Sequence, residues 1–242
     1  MKLQINNLED FYTGQIIAID KPLTWTSFDV VKKIKSLIEK KIRLSLDIPK
    51  IKRLKVGHAG TLDPLAEGLV ILCTGKATKK ILSIQSGEKE YIASIGLGKT
   101  TPSYDLETEY DAEFPIEHIT KEKVIDTLNT FIGEQDQIPP IYSAKNIKGR
   151  RAYDYARKGE EIEMKANKIN ISEIELLNYQ LPEIQIRVTC GKGTYIRSLA
   201  YDIGKKLNCG GHLTKLTRTK IGDYSINNSF KIGDFEKFLG TL

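Results

Sequence analysis

The sequence predicts an α+β protein with a mixed, mainly antiparallel sheet flanked by helices. Segments with the pattern of strands are separated by helical segments at irregular intervals, whereas a parallel α/β fold alternates them regularly. The chain has 242 residues, of which 40% are hydrophobic, so it can bury a sizeable core. Because no repeat, low-complexity tract or Gly/Ser-rich linker interrupts it, we expect one domain over residues 1–242.

In the first third of the chain, we expect a strand, a helix and a second strand. Residues 14–20 have the pattern of a strand, and Ser27 is a candidate N-cap for the helix that follows. Residues 43–55 predict a loop with a basic end, and residues 69–73 predict a short apolar strand. The helix is indicated by apolar residues at helical spacing, namely Val30, Val31, Ile34, Leu37 and Ile38.

The middle of the chain predicts a helix over residues 76–86 and a strand over residues 89–97. Residues 100–118 are polar and acidic, so we expect them to form an exposed excursion. The helical pattern returns over residues 120–132, and the pair Pro139-Pro140 lies beyond its end.

In the last third, residues 194–211 predict a helix that begins at the N-cap candidate Thr194 and ends at Gly210-Gly211. The elements expected around it are a helix at residues 151–158, strands at about 161–177, 183–190 and 213–226, and a final helix near 232–239. Together with the earlier segments, these elements give the irregular order of an α+β fold.

The charge of the protein is unevenly distributed. The net charge is +6 and the pI is about 9.0. Residues 105–117 contain six acids and no base, residues 145–158 six bases and one acid, and residues 187–220 eight bases and one acid. A further basic run occupies residues 50–55. Basic patches beside an acidic segment favour a polyanionic partner, RNA or DNA, and the alternative is ordinary solvated lysines.

Several classes of protein are disfavoured. The longest aliphatic stretch, at residues 69–72, is far shorter than the roughly 20 residues of a membrane helix, and no apolar signal segment is visible at the start. Three scattered cysteines suggest no disulfide framework, so we expect a cytoplasmic protein. Three histidines cannot supply a dense metal cluster. Residues 96–100 end like a phosphate-binding P-loop, but Ala93 stands where its first glycine belongs.

The densest group of unusual residues lies at residues 57–68, Gly-His-Ala-Gly-Thr-Leu-Asp-Pro-Leu-Ala-Glu-Gly. Its three glycines permit tight bends or a close approach to a ligand. Pro64 restricts Asp63 to extended geometry, so the loop presents a carboxylate from a stiff backbone. Such a carboxylate can be a nucleophile, a base or a metal ligand, and the alternative is that Asp63 only caps the next turn.

A second group, Cys190-Gly-Lys-Gly-Thr-Tyr-Ile-Arg197, forms a glycine-rich junction between a strand and a helix. Arg197 lies one turn into the helix and can pair with an acid, while Tyr195 offers a flat face to a base. The alternative for Arg197 is a solvated helix face. Tyr91 begins a predicted strand and is either a core aromatic or a platform for stacking.

These segments resemble, in one order, the tRNA pseudouridine-55 synthases of the TruB type. A lone Gly-Thr-Leu-Asp would be a weak signal, but the ordered set is specific and covers residues 21–218. Thr24 departs from the pattern, in which glycine often stands at the bend after Lys-Pro. The matching residues are Lys21-Pro22, Thr26-Ser27, Gly57-His58, 60–66, Gly68, 75–79, Lys89, Tyr91, Leu97-Gly98, Thr101, Asp105, 137–144, Gly149, Tyr153, 155–157, Gly159, 193–197, Gly211-His212, Leu216 and Arg218.

The resemblance implies an enzyme that converts uridine 55 in the T-loop of tRNA to pseudouridine. Asp63 matches the catalytic aspartate that attacks the target uridine. Tyr91 matches the tyrosine that packs against the target base, and Arg197 matches the arginine that pairs with the catalytic carboxylate. The family fold is a mixed sheet with a cleft across one face, which agrees with the fold class predicted from the residues.

The resemblance also implies how RNA is held. His58 matches a residue that contacts RNA near the flipped base, and Tyr195 and Leu216 match positions that line the uridine pocket with Tyr91. An insertion at about residues 134–165 is expected to grip the RNA. We expect contacts with the RNA backbone from six cations, Lys21, Lys76, Arg150, Arg151, Arg157 and Lys192.

Further expectations follow from the reaction and from the length of the chain. Isomerisation of uridine needs no redox cofactor, metal or energy source, so we expect none. The partner expected is the T-arm of tRNA, with no membrane and no obligatory protein partner, and the protein is expected to be a monomer. Beyond Arg218 too few residues remain for the C-terminal PUA domain that many family members carry.

Two other functions remain open from the sequence. An RNA-binding module of the same fold would need no chemistry. However, a carboxylate is a cost to a protein that only binds RNA, and therefore Asp63 favours an enzyme. A pseudouridine synthase of another specificity would share the Asp63 loop. Residues 142–144 and 149–159 favour the T-loop specificity.

Overall fold

A computed structural model describes residues 5, 7–46, 53–147, 149–160 and 162–242. Helices and strands follow one another irregularly along these residues. In chain order, the strands are β1 (Ile16–Lys21), β2 (Val56–His58), β3 (Glu67–Thr74), β4 (Lys89–Leu97), β5 (Lys99–Thr100), β6 (Ala112–Glu113), β7 (Gly133–Gln137), β8 (Asn146–Ile147), β9 (Arg150–Arg151), β10 (Asn167–Gln180), β11 (Glu183–Cys190), β12 (Gly211–Ile221), β13 (Tyr224–Ser225) and β14 (Phe230–Lys231). The helices are α1 (Asp10–Thr13), α2 (Ser27–Leu46), α3 (Ile81–Ser86), α4 (Lys121–Asn129), α5 (Ala152–Ala156), α6 (Ile196–Lys206) and α7 (Ile232–Gly240), with 3-10 helices at Gly75–Lys80 and Ile226–Asn228.

The chain forms two compact units, one of residues 1–90 and 217–242 and the other of residues 91–216. In the first unit, the strand order is β14-β1-β3-β12, with β2 also paired to β3 and β13 to β12. In the second unit, the order is β4-β11-β10-β7. The pairs β1–β14 and β3–β12 are parallel, while β1–β3, β2–β3, β10–β11 and β7–β10 are antiparallel. The predicted class, α+β with a mixed and mainly antiparallel sheet, is confirmed.

The first unit is organised around β3, whose residues are buried from Gly68 to Thr74. A strand that is buried on both faces has a continuous run of apolar residues instead of alternating apolar and polar residues. Residues 69–73 have this continuous pattern. The core cluster on this strand consists of Ala59, Leu69, Ile71 and Ile221, against which Ile16, Ala18, Ile81, Ile84, Tyr224 and Ile226 pack. Ala59, the first residue of the loop at 59–66 that carries Asp63, belongs to this core, and Ala66 at the end of the loop is also buried.

Helix α2 is longer than predicted. It begins at Ser27, as expected, but continues through Leu46, so the loop predicted from residue 43 starts later. The apolar spacing explains the extension, because Ile42 lies four residues after Ile38 and both are buried. Strand β2, just after that loop, was not predicted, since three residues are too few to show a period. Lys50 and Lys52 of the basic run lie outside the described residues.

In the second unit, one strand was not predicted and two further predictions are corrected. Strand β7 has the polar sequence Gly-Glu-Gln-Asp-Gln, which carries no strand signal, and pairs with β10 through its backbone. Strand β10 begins at Asn167, later than the predicted position near 161. Thr194 does not cap α6, because its hydroxyl donates to the Gly191 carbonyl at 3.0 Å and the N-cap is Tyr195.

The three cysteines, Cys73, Cys190 and Cys209, are buried. Burial raises the pKa of the Cys73 thiol to about 11, so this group is a protonated, apolar part of the core. Among the residues described, none of the helices has the length and apolar character needed to cross a bilayer.

A glycine in α6 permits a close contact that we expect to dominate local stability. A Cβ added to Gly204 would lie 2.3 Å from the carbonyl carbon of Gly210 and 2.3 Å from the amide nitrogen of Gly211. Overpacking costs about 1–3 kcal/mol, which exceeds the roughly 1 kcal/mol that alanine gains in a helix. We therefore expect Gly204→Ala to lower the free energy of unfolding by about 2 kcal/mol, as measured by urea denaturation.

Gly233 in α7 provides the matched control. No described atom lies within 4 Å of a Cβ added there, so Gly233→Ala is expected to leave stability unchanged or raise it by up to about 1 kcal/mol. Similar stabilities for the two variants would show that the contact at Gly204 relaxes without cost.

Candidate active site

Asp63 lies in a loop of residues 59–66, here called the aspartate loop, between β2 and β3. The side chain of Asp63 is half-buried, and Pro64 and Leu65 beside it are exposed. The Pro64 carbonyl accepts a hydrogen bond from the Thr24 amide at 2.8 Å, and the Asp63 carbonyl accepts one from the Ala66 amide at 3.1 Å. The backbone on both sides of the carboxylate is therefore fixed.

The bend that reaches Pro64 forms without glycine. Thr24 adopts a φ of +71°, in the left-handed region that glycine occupies most easily. The sequence departs from the family pattern at this residue, yet the bend after Pro22 is present. The hydrogen bond from Thr24 to Pro64 helps to hold this less favourable backbone conformation.

Ser27 holds the residue before Asp63. Its hydroxyl oxygen accepts a hydrogen bond from the Leu62 amide at 2.8 Å and lies 3.1 Å from the Leu62 carbonyl, to which it donates. The prediction that Ser27 caps α2 is therefore corrected. The cap is formed by Thr26, whose hydroxyl accepts from the Asp29 amide at 3.0 Å while the Asp29 carboxylate accepts from the Thr26 amide at 3.1 Å.

Arg218 on β12 lies beneath the aspartate loop and is only 1% exposed. Its guanidinium donates to the carbonyls of Leu69 at 2.8 Å, Thr61 at 3.2 Å and Gly60 at 3.1 Å. These carbonyls lie before and after Asp63 in the chain. One planar side chain therefore joins both ends of the loop.

Lys21 is completely buried at the end of β1. Its ammonium donates to the Pro22 carbonyl at 3.0 Å and to the Trp25 carbonyl at 2.6 Å. Burial lowers the pKa of Lys21 to about 8, an effect that the Asp63 carboxylate opposes and Arg218 reinforces. An ammonium without exposed surface cannot bind a phosphate, so the prediction that Lys21 contacts the RNA backbone is wrong.

His58, at the end of β2, is half-buried next to this cluster. Burial lowers the pKa of His58 below its ordinary value of 6.5, and the nearby charge of Arg218 acts in the same direction. The imidazole is therefore neutral at pH 7. It can offer hydrogen bonds and a flat face to a nucleotide, but no positive charge.

In the second unit, Arg197 is 4% exposed, which excludes the solvated helix face considered from the sequence. Its guanidinium lies 3.5 Å from the Asp105 carboxylate and donates to the Tyr142 carbonyl at 2.9 Å. A weaker bond of 3.4 Å reaches the Ser103 carbonyl. Asp105 is itself buried, so the segment that was predicted to be an exposed acidic excursion supplies a buried ion pair.

Tyr195 is fixed through its backbone by Gln137 of β7. The Gln137 side chain accepts from the Tyr195 amide at 2.8 Å and donates to the Tyr195 carbonyl at 3.0 Å. This amide pair joins the glycine-rich junction before α6 to the sheet and leaves the Tyr195 ring half-exposed. Tyr91 and Leu216 are largely buried, with 8% and 7% of their surface exposed, respectively.

The basic residues predicted to contact RNA differ in their surroundings. Lys76 and Lys192 are exposed. Arg150 lies 2.9 Å from Glu160, and Arg157 lies 3.2 Å from Glu107. Arg151 donates to the Ala144 carbonyl at 2.6 Å. The three arginines are therefore engaged within the protein, whereas the two lysines extend into solvent.

Three residues of this arrangement were part of the quoted motifs but had no predicted role: Asp105, Gln137 and Arg218. Of these three, only Asp105 could have been expected from the sequence, because Arg197 was predicted to pair with an acid. Gln137 and Arg218 carry no local signal, because a polar residue in a strand has the same pattern whether its partner is water or a distant carbonyl.

Solved structures share the fold of this chain. It resembles a chain from the crystal structure of a Cbf5-Nop10-Gar1 complex with a TM-score of 0.68 and 26% identity, covering 96% of this chain and 56% of that one. A chain from an H/ACA RNP bound to a substrate RNA containing 2′-deoxyuridine gives a TM-score of 0.67 and 25% identity, with the same coverage. The chain therefore spans just over half the length of these structures.

Family models cover most of the chain. The model of the TruB family pseudouridylate synthase N-terminal domain matches residues 48–196, and that of the tRNA pseudouridylate synthase B C-terminal domain matches residues 197–240. The chain belongs to the TruB family of pseudouridylate synthases.

Curated relatives are similar in sequence to this chain over nearly its whole length. The chain is 54% identical over 230 residues to tRNA pseudouridine synthase B of Phocaeicola vulgatus, covering 95% of each protein. It is 53% identical over 231 residues to the protein of the same name from Flavobacterium johnsoniae, covering 96% of this chain and 98% of the relative. The predicted family and the predicted enzyme class, a pseudouridine-forming isomerase, are confirmed.

Lys21 gives the stability of the protein a specific pH dependence. Its pKa is about 8 in the folded protein and near its ordinary value of 10.5 in the unfolded chain. Between these values the unfolded chain binds more protons, so stability rises with pH. Urea denaturation at several pH values should show wild type gaining about 1 kcal/mol per pH unit relative to Lys21→Met between about pH 8 and 10.

The exposed Lys237 supplies the control for this measurement, because Lys237→Met removes a lysine that lies in solvent. Its stability difference from wild type should not change over the same pH range. A constant difference for Lys21→Met as well would contradict the burial of a charged ammonium.

Proposed function

We propose that this enzyme converts uridine 55 in the T-loop of tRNA to pseudouridine and that Asp63 is its catalytic residue. The observation that carries the proposal is the way in which the aspartate loop is held, by Arg218, by Ser27 and by Thr24. A half-buried carboxylate on a backbone fixed from three sides is suited to act at one defined position. The names of the curated relatives support tRNA as the substrate.

The chemistry balances without an external reagent. The C1′–N1 bond of uridine breaks, the base turns, and a C1′–C5 bond forms. C5 loses its hydrogen to solvent, and N1 gains one. Asp63 takes part as the nucleophile or base, and no redox cofactor or energy source is consumed.

The remaining roles follow the resemblance and the character of each side chain. Tyr91 packs against the target base, and Tyr195 and Leu216 line the uridine pocket. The half-exposed Tyr195 can offer its ring to a base face, and Tyr91 and Leu216 contribute apolar side chains. His58 contacts the RNA near the flipped nucleotide as a neutral imidazole. The assignment of Arg197 as the partner of the catalytic carboxylate stays a prediction.

The target uridine must leave the stack of a folded RNA loop, at a cost of a few kcal/mol. Contacts with phosphates offset part of this cost.

A groove of about 510 Å³ in the first unit, here called the basic groove, supports such contacts, because Lys35, Arg53 and Lys55 line it. Lys76 is exposed on the adjacent 3-10 helix. We place the enzyme in the reducing cytoplasm, which also suits a protein with three buried, scattered cysteines.

Release of tritium from a tRNA transcript labelled at uridine C5 tests the catalytic assignment. Because C5 must lose its hydrogen, release reports the isomerisation directly. We expect Asp63→Asn to bind tRNA with unchanged affinity but to lower the rate of release by at least about 100-fold. A transcript in which uridine 55 is replaced by cytidine should release no tritium in excess of background.

Asp223→Asn is the matched control, since it removes an exposed carboxylate from a turn of the same unit. It should retain wild-type release. Substantial release by Asp63→Asn would refute the role of Asp63. Release from the uridine 55-substituted transcript would instead assign another target uridine.

The basic groove predicts a measurable salt dependence. If Arg53 and Lys55 each contact a phosphate, Arg53→Gln/Lys55→Gln should weaken tRNA binding and reduce the slope of log K against log salt by about 2. The control Lys168→Gln/Lys237→Gln removes two exposed lysines that lie within 3.6 Å of acidic side chains, and it should leave the slope unchanged. Parallel salt plots for wild type and the groove variant would exclude the basic groove from the RNA interface.

A further inference from the structure

Arg218 is among the largest side chains that the protein buries completely. A buried guanidinium loses its hydration, which costs several kcal/mol unless its donors are satisfied. Arg218 offsets this cost through backbone carbonyls, since its guanidinium donates hydrogen bonds to the carbonyl oxygens of Gly60, Thr61 and Leu69. These bonds link a residue remote in sequence to the aspartate loop.

The partners of Arg218 define what it holds. Gly60 and Thr61 lie two to three residues before Asp63, and Leu69 lies six residues after it. The guanidinium is planar and its donors have fixed directions, so bonds to all three carbonyls fix the separation of the two ends of the loop. Within this frame, the carboxylate of Asp63 has little freedom to shift.

Strands β3 and β12 approach each other closely beside Arg218. Strands β3 and β12 pair in parallel with Arg218 opposite Gly68, and a Cβ on Gly68 would lie 2.5 Å from the Arg218 carbonyl oxygen. Gly60 has a φ of +101° and Gly68 a φ of +104°, which glycine adopts without strain. The two glycines therefore let the chain leave β2 and join β3 close to the arginine.

We propose that Arg218 is a positioning residue for the isomerisation: it sets the place of the Asp63 carboxylate through the loop backbone, without touching the substrate. This inference rests on the proposed catalytic role of Asp63. It predicts that loss of the guanidinium slows the chemical step and leaves the affinity for tRNA unchanged, because a displaced catalytic group can lose about 100-fold in rate.

Lysine is a discriminating substitution at this position. An ammonium retains the charge but presents donors from a single point, so it cannot span carbonyls on both ends of the loop. If Arg218 acted through charge alone, Arg218→Lys would have wild-type turnover. If it acts by positioning, Arg218→Lys should keep part of the rate and Arg218→Met less.

The test compares single-turnover tritium release and tRNA affinity for Arg218→Lys, Arg218→Met, Asp63→Asn and the control Arg43→Met, which removes an exposed arginine of α2. Thermal melting first establishes that each variant is folded at the assay temperature. We expect about 10-fold slower release for Arg218→Lys and about 100-fold for Arg218→Met, with affinities within about threefold of wild type. Arg43→Met should match wild type.

Wild-type release by both Arg218 variants, or an equal loss of affinity and rate, would overturn the positioning role. If Arg218→Met does not fold, Arg218→Lys decides alone, with slower release at unchanged affinity supporting the proposal and wild-type release refuting it. Activity in Asp63→Asn would instead refute the catalytic assignment on which the proposal rests. The two failures are therefore separate results.

Discussion

Buried positive charge has to be met by fixed oxygen atoms, and this requirement shapes the functional region of each unit. In the first unit, Arg218 and Lys21 are both buried and donate to backbone carbonyls around the aspartate loop. In the second unit, Arg197 is met by the Asp105 carboxylate and the Tyr142 carbonyl. If such a carbonyl moved away, the buried cation would lose a hydrogen bond. The resulting loss of folding free energy is larger than the gain from most single contacts. These hydrogen bonds therefore restrain the loops that supply the carbonyls.

The sequence predicts best those features that depend on local pattern. Strand β4 has the predicted bounds of 89–97, and β11 those of 183–190, because alternation and flanking turns are properties of the segment itself. The aspartate loop is found for the same reason, since its glycines and Pro64 are adjacent in sequence. By contrast, β7 is polar and exists because β10 lies beside it. No window of the sequence contains that information.

The wrong predictions share a cause, which is that a polar residue does not reveal its partner. Lys21 follows a strand and was expected on the surface, yet two carbonyls from its own turn allow it to be buried. Ser27 has the residue type and position of a helix cap, but Thr26 takes that role and leaves Ser27 to bond Leu62. Asp105 lies in the most acidic segment of the chain and is buried because Arg197 meets it. In each case, a long-range contact overrides a local preference.

The placement of the two cations in the first unit also bears on how an aspartate can work beside RNA. A carboxylate near phosphates is repelled, and this repulsion falls off slowly inside a protein, where screening is weak. Lys21 and Arg218 lie close enough to Asp63 and to each other for their charges to interact. Burial of the Lys21 ammonium lowers its pKa, and the nearby charge of Arg218 lowers it further, so the charged form of Lys21 reduces stability. The same charges offset the field of Asp63 from below, on the side that RNA cannot reach. If Asp63 has the proposed catalytic role, stability lost in the core favours both the position of its carboxylate and the approach of an anionic substrate.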